Sequence, residues 1–280
     1  MSELTEHQKA NQAFWDDLVD IHAAQDGDGE GYRVRKFLDG ECILDPLIRS
    51  EIGNIEGKSL LHLQCHFGLD SLSLARLGAT ITGVDFSPNG IAAARKLSDD
   101  SGVPGRFIEG LIEDVPSLID EQFDMVFTSW GAIIWLADLG AWTAAIDHAL
   151  KPGGVFYIAD AHPLLLAFDD EAKPGGQPPP IIYDYLSSDE PIGLENANDY
   201  ADESVVLKTT RTYEWSHSLG EIVTRLCEAG LRIEFLHEHN VLAWRGVKGL
   251  VRQDEHFHCL PDGWPNIPLS FSIRAVKEGP

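Results

Sequence analysis

Apolar residues fall along the chain in short runs separated by turn residues and by stretches of helical spacing. Leu60 to Leu63 is a four-residue apolar run interrupted only by His62, and it reads as a buried strand. Gln64 to Gly68 then forms a tight turn, and a helix follows from Asp70 to Leu77, with Asp70 as its N-cap and Gly78 as its stop. Ala79 to Val84 is a second apolar strand, ending on Asp85. Ser87-Pro88 places a capping hydroxyl before a proline at the first helical position, and Ile91, Ala94 and Leu97 carry that helix to Asp99. Phe107 to Glu109 and Phe123 to Thr128 are the third and fourth strands. A helix over Leu139 to Leu150 and the turn Lys151-Pro152-Gly153-Gly154 lead into a fifth, Val155 to Ala159. Strands alternating with helices predict an α/β fold around a mostly parallel sheet.

The pattern changes at both ends. Residues 5 to 22 have Ala13, Phe14, Leu18 and Ile21 at helical spacing, so the chain opens on an amphipathic helix. Gln25 to Gly31 is a glycine- and acid-rich loop, and Asp45-Pro46 begins a short helix ending near Gly53. From Ala161 to Tyr213 prolines interrupt the chain, among them Pro163, Pro174 and Pro178 to Pro180. Two β-type runs there, Ile181 to Tyr185 and Val205 to Tyr213, are expected to pair antiparallel as a cap. Ser218-Leu-Gly-Glu221 is a capping box opening a helix that closes at Gly230. Leu231 to Leu236 and Pro268 to Val276 are the sixth and seventh strands, the last alternating Leu269, Phe271, Ile273 and Ala275. This divides the chain into an N-terminal helical lid (1-57), a core (58-160 with 214-280) and a cap insertion (161-213). No internal repeat is visible.

Charge narrows the choice of partner. With 45 acidic and 21 basic residues, the 280-residue chain carries a formal net charge of −24. A surface so acidic repels phosphate backbones and anionic lipid, which disfavours nucleic acid and membranes as partners and leaves a small molecule. No apolar run reaches the roughly 18 residues that span a bilayer, and the first residues are polar rather than leader-like. Cys42, Cys65, Cys227 and Cys259 are widely spaced, suggesting neither a disulfide framework nor a zinc site. His237-x-His239, with His256 and His258, lacks accompanying ligands at metal spacing, so no metal is expected. The composition points to a cytoplasmic protein, monomeric or homodimeric.

Candidate chemistry concentrates in residues 58 to 90. Strand, turn, helix, strand and a terminal carboxylate make a nucleotide-binding unit. The helix N-terminus offers free N–H groups, and Asp85 can accept hydrogen bonds from both hydroxyls of a ribose. This stretch resembles motifs I and II of the class I S-adenosylmethionine-dependent methyltransferases. In that family the turn reads acid-x-Gly-x-Gly-x-Gly. Here His62 stands at the acidic position, Gln64 and His66 at the first two glycines, and Gly68 is kept, as in a bacterial branch with Gln-Cys-His-Phe-Gly turns. Loss of two permissive glycines predicts a looser approach of backbone to cofactor, with Gln64 and His66 side chains supplying polar contacts.

The resemblance extends to the Lys-Pro-Gly-Gly turn before the fifth strand and to Phe123–Thr128, which is similar to motif IV. It implies a Rossmann-like seven-stranded sheet with an antiparallel last strand and helices on both faces, S-adenosyl-L-methionine as cofactor, and methyl transfer to a small acceptor. The implied cofactor residues are Gln64, His66, Gly68, Asp85, Phe86, Ile112, Glu113 and Ser129. Leu111 replaces the aspartate that usually meets the adenine. Trp130, Tyr32 and Trp15 are expected at the acceptor, with His22 beside them in the lid. His162, His217 and then Tyr213 are the candidates for a base, should the acceptor need one. Two other readings remain open on the sequence: a methyltransferase fold that binds without catalysing, and an NAD(P)-dependent oxidoreductase. The second is disfavoured by the missing Gly-x-Gly-x-x-Gly.

Overall fold

In the computed structural model, residues 2–24, 32–169, 177–200 and 204–279 are described. The expected loop 25–31 and Pro174 to Gly176 lie outside them. The chain opens on α1 (Glu6–Ala23), α2 (Val34–Leu38) and α3 (Pro46–Glu51). It continues through β1 (Ser59–Leu63), α4 (Leu69–Arg76), β2 (Thr80–Asp85), α5 (Pro88–Ser101), β3 (Arg106–Glu109) and α6 (Val115–Leu118). Next come β4 (Phe123–Ser129), α7 (Leu139–Ala149) and β5 (Leu150–Ala161). After β6 (Ile192–Glu195) and β7 (Arg211–Glu214) follow α8 (Leu219–Glu228), β8 (Leu231–His239), β9 (Val241–Leu242), β10 (Val251–Arg252), β11 (His258–Cys259) and β12 (Ser270–Lys277).

Seven strands form one sheet in the order β3-β2-β1-β4-β5-β12-β8. Pairing is parallel from β3 through β5, and β12 runs antiparallel to both β5 and β8. This is the expected Rossmann-like arrangement. Its two faces bury separate cores. Phe156, Ile158 and Trp142 pack on one side, and Tyr157, Phe127 and Ile48 on the other, as the two-residue alternation of a strand requires. Strand order reverses between β1 and β4, so the carboxyl ends of β1, β2, β4 and β5 open a crevice there.

Several local expectations are corrected. Asp70 is not the N-cap of α4. Gly68 is, in the left-handed conformation at φ 76°, and Asp70 lies one residue inside the helix. A side chain at Gly68 would also strike the Phe107 ring at 2.8 Å, so both dihedral and space demand glycine. Residues Ile181 to Tyr185 do not form the first cap strand. Ile181 makes one isolated bridge to Phe168, and the cap hairpin pairs β6 with β7 instead. Ile181 and Ile182 are exposed at 62% and 54%, so no buried face holds them in a sheet. Lys151 to Gly154 lies within β5, where the register against β4 jumps from Phe123–Leu150 to Met125–Val155. Residues 237–265, between the sixth and seventh expected strands, contain the small sheet β10-β11-β9.

The amphipathic N-terminal helix runs one residue later than expected at each end, on a capping box between Thr5 and Gln8. It lies across the crevice and is tied to the sheet and to the cap segment alike. Gln12 donates to the Phe86 carbonyl at 2.6 Å, and the Asn11 side chain both accepts from and donates to the Tyr213 backbone at 2.8 Å. Phe14 and Leu18 pack with Leu207, beside Trp15 and Trp135.

Candidate active site

A cavity of about 480 Å³ occupies the crevice. Its floor is the turn after β1, the end of β2 and the loop after β4, while α1, the β6–β7 hairpin and residues 242–246 cover it. Of the sequence-predicted residues, Gln64, His66, Asp85, Phe86, Ser129, Trp130, Tyr32 and Trp15 line it.

The turn keeps its glycine geometry without its glycines. Gln64 and His66 adopt φ 57° and 49°, the left-handed region that glycine enters freely and other residues enter at a cost of about 1–2 kcal/mol. The turn therefore keeps the left-handed dihedrals at the cost of strain, with two side chains added. Gln64 Nε2 donates to the Ala132 carbonyl at 2.8 Å, tying the turn to the loop after β4. The His66 amide donates to Asp85 Oδ2 at 2.8 Å, and Ser87 N donates to Asp85 Oδ1 at 2.9 Å. Each oxygen retains a lone pair, so the carboxylate can still receive two hydroxyls. Burial, reinforced by Asp16, pushes the Asp85 carboxyl up to about 6, against the lowering effect of the amide donors.

The loop after β4 is held by a carboxylate that the sequence reading missed. Asp160, buried at the end of β5, accepts from the amides of Gly131, Ala132 (3.0 Å), Ile133 (3.1 Å) and Ala161 (2.7 Å). This nest fixes Trp130 and Gly131 at φ 35° and 74°. Trp130 Nε1 in turn donates to Asp45 Oδ2 at 2.9 Å, and Asp45 caps α3. A signal for Asp160 was present: like Asp85, it is an acid ending a buried apolar strand.

Asp70, taken as a cap, instead faces the cavity. Ser129 Oγ donates to its Oδ2 at 3.1 Å, and burial, with Asp45 nearby, pushes its carboxyl up to about 6. His62, at the family's acidic position, bonds Ser71 Oγ through Nδ1 at 2.8 Å, and burial alone lowers its pKa to about 3. It is a neutral wall residue at any ordinary pH. Arg33 also lines the cavity and bonds the Ile43 carbonyl and His256. Trp135, Trp215 and Trp244 also line it, three rings that the sequence reading did not assign to the site.

Seven predicted residues stand off the cavity lining, His22 among them, buried behind it against His66. Gly68 serves the turn, Ile112 is core, and Glu113 accepts a hydrogen bond from Gln8 of α1 at 2.7 Å. His162 caps the turn Pro163–Ala167 through Nδ1, with Nε2 3.1 Å from Glu238. His217 braces Leu136 O at 2.7 Å and Glu221 at 3.2 Å. The Tyr213 ring packs on His7 at 4.3 Å. Each candidate base is thus committed to a structural contact outside the cavity wall. Among the described residues no group of three His, Cys, Asp or Glu gathers at metal-binding distance.

The crevice at the strand-order reversal, with an acid ending β2 and a turn in glycine geometry after β1, defines a Rossmann-like methyltransferase fold. Residues 61–158 match the family model described as "Methyltransferase domain". That match covers about a third of the chain, the part that carries the turn after β1 and the acid ending β2. A ubiquinone biosynthesis O-methyltransferase of Methylobacterium nodulans is 36% identical over 109 residues, covering 38% of this chain and 41% of that protein. An uncharacterized methyltransferase of Synechocystis is 34% identical over 108 residues, 38% of this chain and 48% of that one. The chain thus matches less than half the length of these curated relatives. A structure of a putative S-adenosylmethionine dependent methyltransferase from Listeria monocytogenes superposes with TM-score 0.59 at 18% identity, over 83% of this chain and 97% of that one. One from Mesorhizobium loti gives 0.58 at 21%, over 85% and 99%. At such identities the likeness is one of fold.

Proposed function

We propose that the protein transfers a methyl group from S-adenosyl-L-methionine to a small-molecule acceptor by in-line displacement. The observation that carries this reading is Asp85, held at the end of β2 by the amide of a turn that preserves left-handed geometry at positions 64, 66 and 68. The donor set fits the cofactor: a carboxylate with free lone pairs for the ribose, and Phe86 as an apolar wall for the adenine. Gln64 Oε1 and Trp135 Nε1 offer a buried acceptor and donor with no partner among the described residues. Bound there, the cofactor supplies an already activated methyl group. The chain's own tasks are to align the acceptor and exclude water, and α1, Trp15 and the β6–β7 hairpin cover the cavity accordingly.

Where the acceptor is a hydroxyl or an ammonium, Asp70 is the group that takes its proton. It lies in the cavity wall, Ser129 orients it, and a carboxyl near 6 is ionised at neutral pH yet basic enough to accept. His162, His217 and Tyr213 are not placed for that role. A second reading, binding without catalysis, draws on the same misplacement of the three candidate bases. Calorimetry with S-adenosylhomocysteine, followed by methyl-transfer assays across a metabolite set, separates the two. No binding by the parent protein would overturn the cofactor assignment, and binding without turnover of any acceptor would favour the second reading. The charge of −24 supports a small-molecule partner over nucleic acid. No helix among the described residues is long and apolar enough to cross a membrane.

A further inference from the structure

Three segments far apart in sequence meet over the cavity through a chain of buried side chains. His22, in the last turn of α1, is fully buried. Its Nδ1 lies 2.9 Å from Nε2 of His66 in the turn after β1, and its Nε2 lies 3.0 Å from Oδ1 of Asp199 in the cap segment. Asp199 is 1% exposed. Aromatic rings seal the chain: Trp15 stands edge-on to His66 at 5.0 Å, Tyr32 lies 4.5 Å from His22, and the Tyr32 and Tyr200 hydroxyls bond at 2.6 Å. His66 has a second attachment, since its amide donates to Asp85. A glycine in its place would satisfy the backbone but reach neither His22 nor, through it, the cap.

We propose that Asp199, His22 and His66 are positioning residues that latch the lid helix and the cap onto the cofactor-binding turn, a latch that holds only while the two imidazoles share no more than one proton. The geometry imposes the condition. A carboxylate accepts the His22 Nε2–H, so a neutral His22 presents a bare Nδ1 to the Nε2–H of His66. If His22 carries the extra proton, its Nδ1–H donates and His66 must present a bare Nε2. With both rings protonated, two N–H groups face each other at 2.9 Å and the bond is lost.

The charged and titratable groups around the pair do not offset a second proton. Asp199 and Tyr200 face it from the cap and Tyr32 from the segment before α2. Cys65 adjoins His66, Asp85 meets its amide, and Asp70 acts on Tyr32 from α4. Asp199, the carboxylate bonded to the pair, meets it only through His22. Burial, then His22, keeps the His66 ring well below the ordinary histidine value. The closed state therefore refuses a proton that an open state takes up near 6.5, the value of a free histidine. Closure is fully favoured above that pH and weakens as pH falls through it, by about tenfold at pH 5.5.

Closure over the cofactor rests on the methyltransferase reading, but the latch itself is measurable without ligand. Hydrogen exchange of the α1 amides, corrected for intrinsic rates, should be slow at pH 7.5 and about tenfold faster at pH 5.5 in the parent protein. In His66→Gly, which keeps the backbone conformation and the amide to Asp85, exchange should be fast at pH 7.5 and lose this pH dependence. Asp199→Ala, in the cap, should also give fast α1 exchange at pH 7.5. The β4 amides report whether either variant has lost its fold, and the variant that keeps it carries the test. If α1 exchange in the parent is the same at both pH values, or if the folded variant behaves as the parent does, the latch is refuted. Loss of S-adenosylhomocysteine binding in Asp85→Ala is a separate measurement, so failure of the cofactor assignment would leave the latch test intact. With the cofactor bound, its release should accelerate on acidification in the parent by more than in His66→Gly.

Discussion

The floor of the cavity and its cover are built on different physical terms. The floor is made of strand ends. Asp85 and Asp160 each close a buried apolar strand, and each spends its carboxylate on backbone amides of an adjoining turn. The cover is made of α1, the β6–β7 hairpin and the segment around Asp199, joined to the floor by side-chain bonds such as Gln12 to Phe86 and His22 to His66. Backbone clamped by a buried charge has few alternative conformations, whereas a cover pinned by side chains can be released one bond at a time. If ligand enters by displacing the cover, this is the division that entry requires.

Breaking the floor should cost most. Asp160→Ala leaves the amides of Gly131, Ala132 and Ile133 without their acceptor, and should destabilise the protein by about 3 kcal/mol or more, read from urea unfolding. An unchanged midpoint would show that the nest does not hold the loop. Asp85→Ala should weaken cofactor binding at least about tenfold, since hydrogen bonds to a charged group contribute about 1.5–3 kcal/mol, with the fold intact. Calorimetry with S-adenosylhomocysteine checks it.

The double change Gln64→Gly with His66→Gly sharpens the contrast, because floor and cover should respond with opposite signs. Relief of two left-handed side chains stabilises the turn by about 1 kcal/mol, offset in part by the lost Gln64–Ala132 bond, while cofactor affinity falls as the side-chain contacts and the lid attachment disappear. Equal or tighter binding by the double variant would count against a ligand role for either side chain.

The smallest effect on stability concerns pH. Asp70 and Asp85 have carboxyls raised to about 6, above the ordinary 3.8 of the unfolded chain. The folded state thus holds these protons more tightly, so the stability they contribute falls as pH rises from about 4 to about 6 and is level above. Asp70→Asn should reduce that slope and raise the unfolding midpoint at pH 7.5. In the same variant methyl transfer to a protonated acceptor should fall by about a hundredfold or more. If turnover is unaffected, Asp70 is not the base.

What the sequence by itself determined is the sheet and the place of the site within it. Apolar runs of strand length, separated by helices with caps at Ser87 and Ser218 and ended by Asp85, are local signals, and each survived into the structure almost in register. They are legible because periodicity and capping act over a few residues. What only the tertiary structure decided is which polar side chains face the cavity. Asp70 looks like a cap until the helix is seen to start at Gly68, and it then faces Ser129. His162 and His217 look free until Glu238, Leu136 and Glu221 are found beside them. Asp199 reaches His22 across 177 residues. Such pairings depend on how distant segments pack, and nothing in the spacing of either partner encodes the other. The choice of Gln64 and His66 over glycine belongs to the same class: the strain is local, but its recompense, at Ala132 and His22, lies elsewhere in the fold.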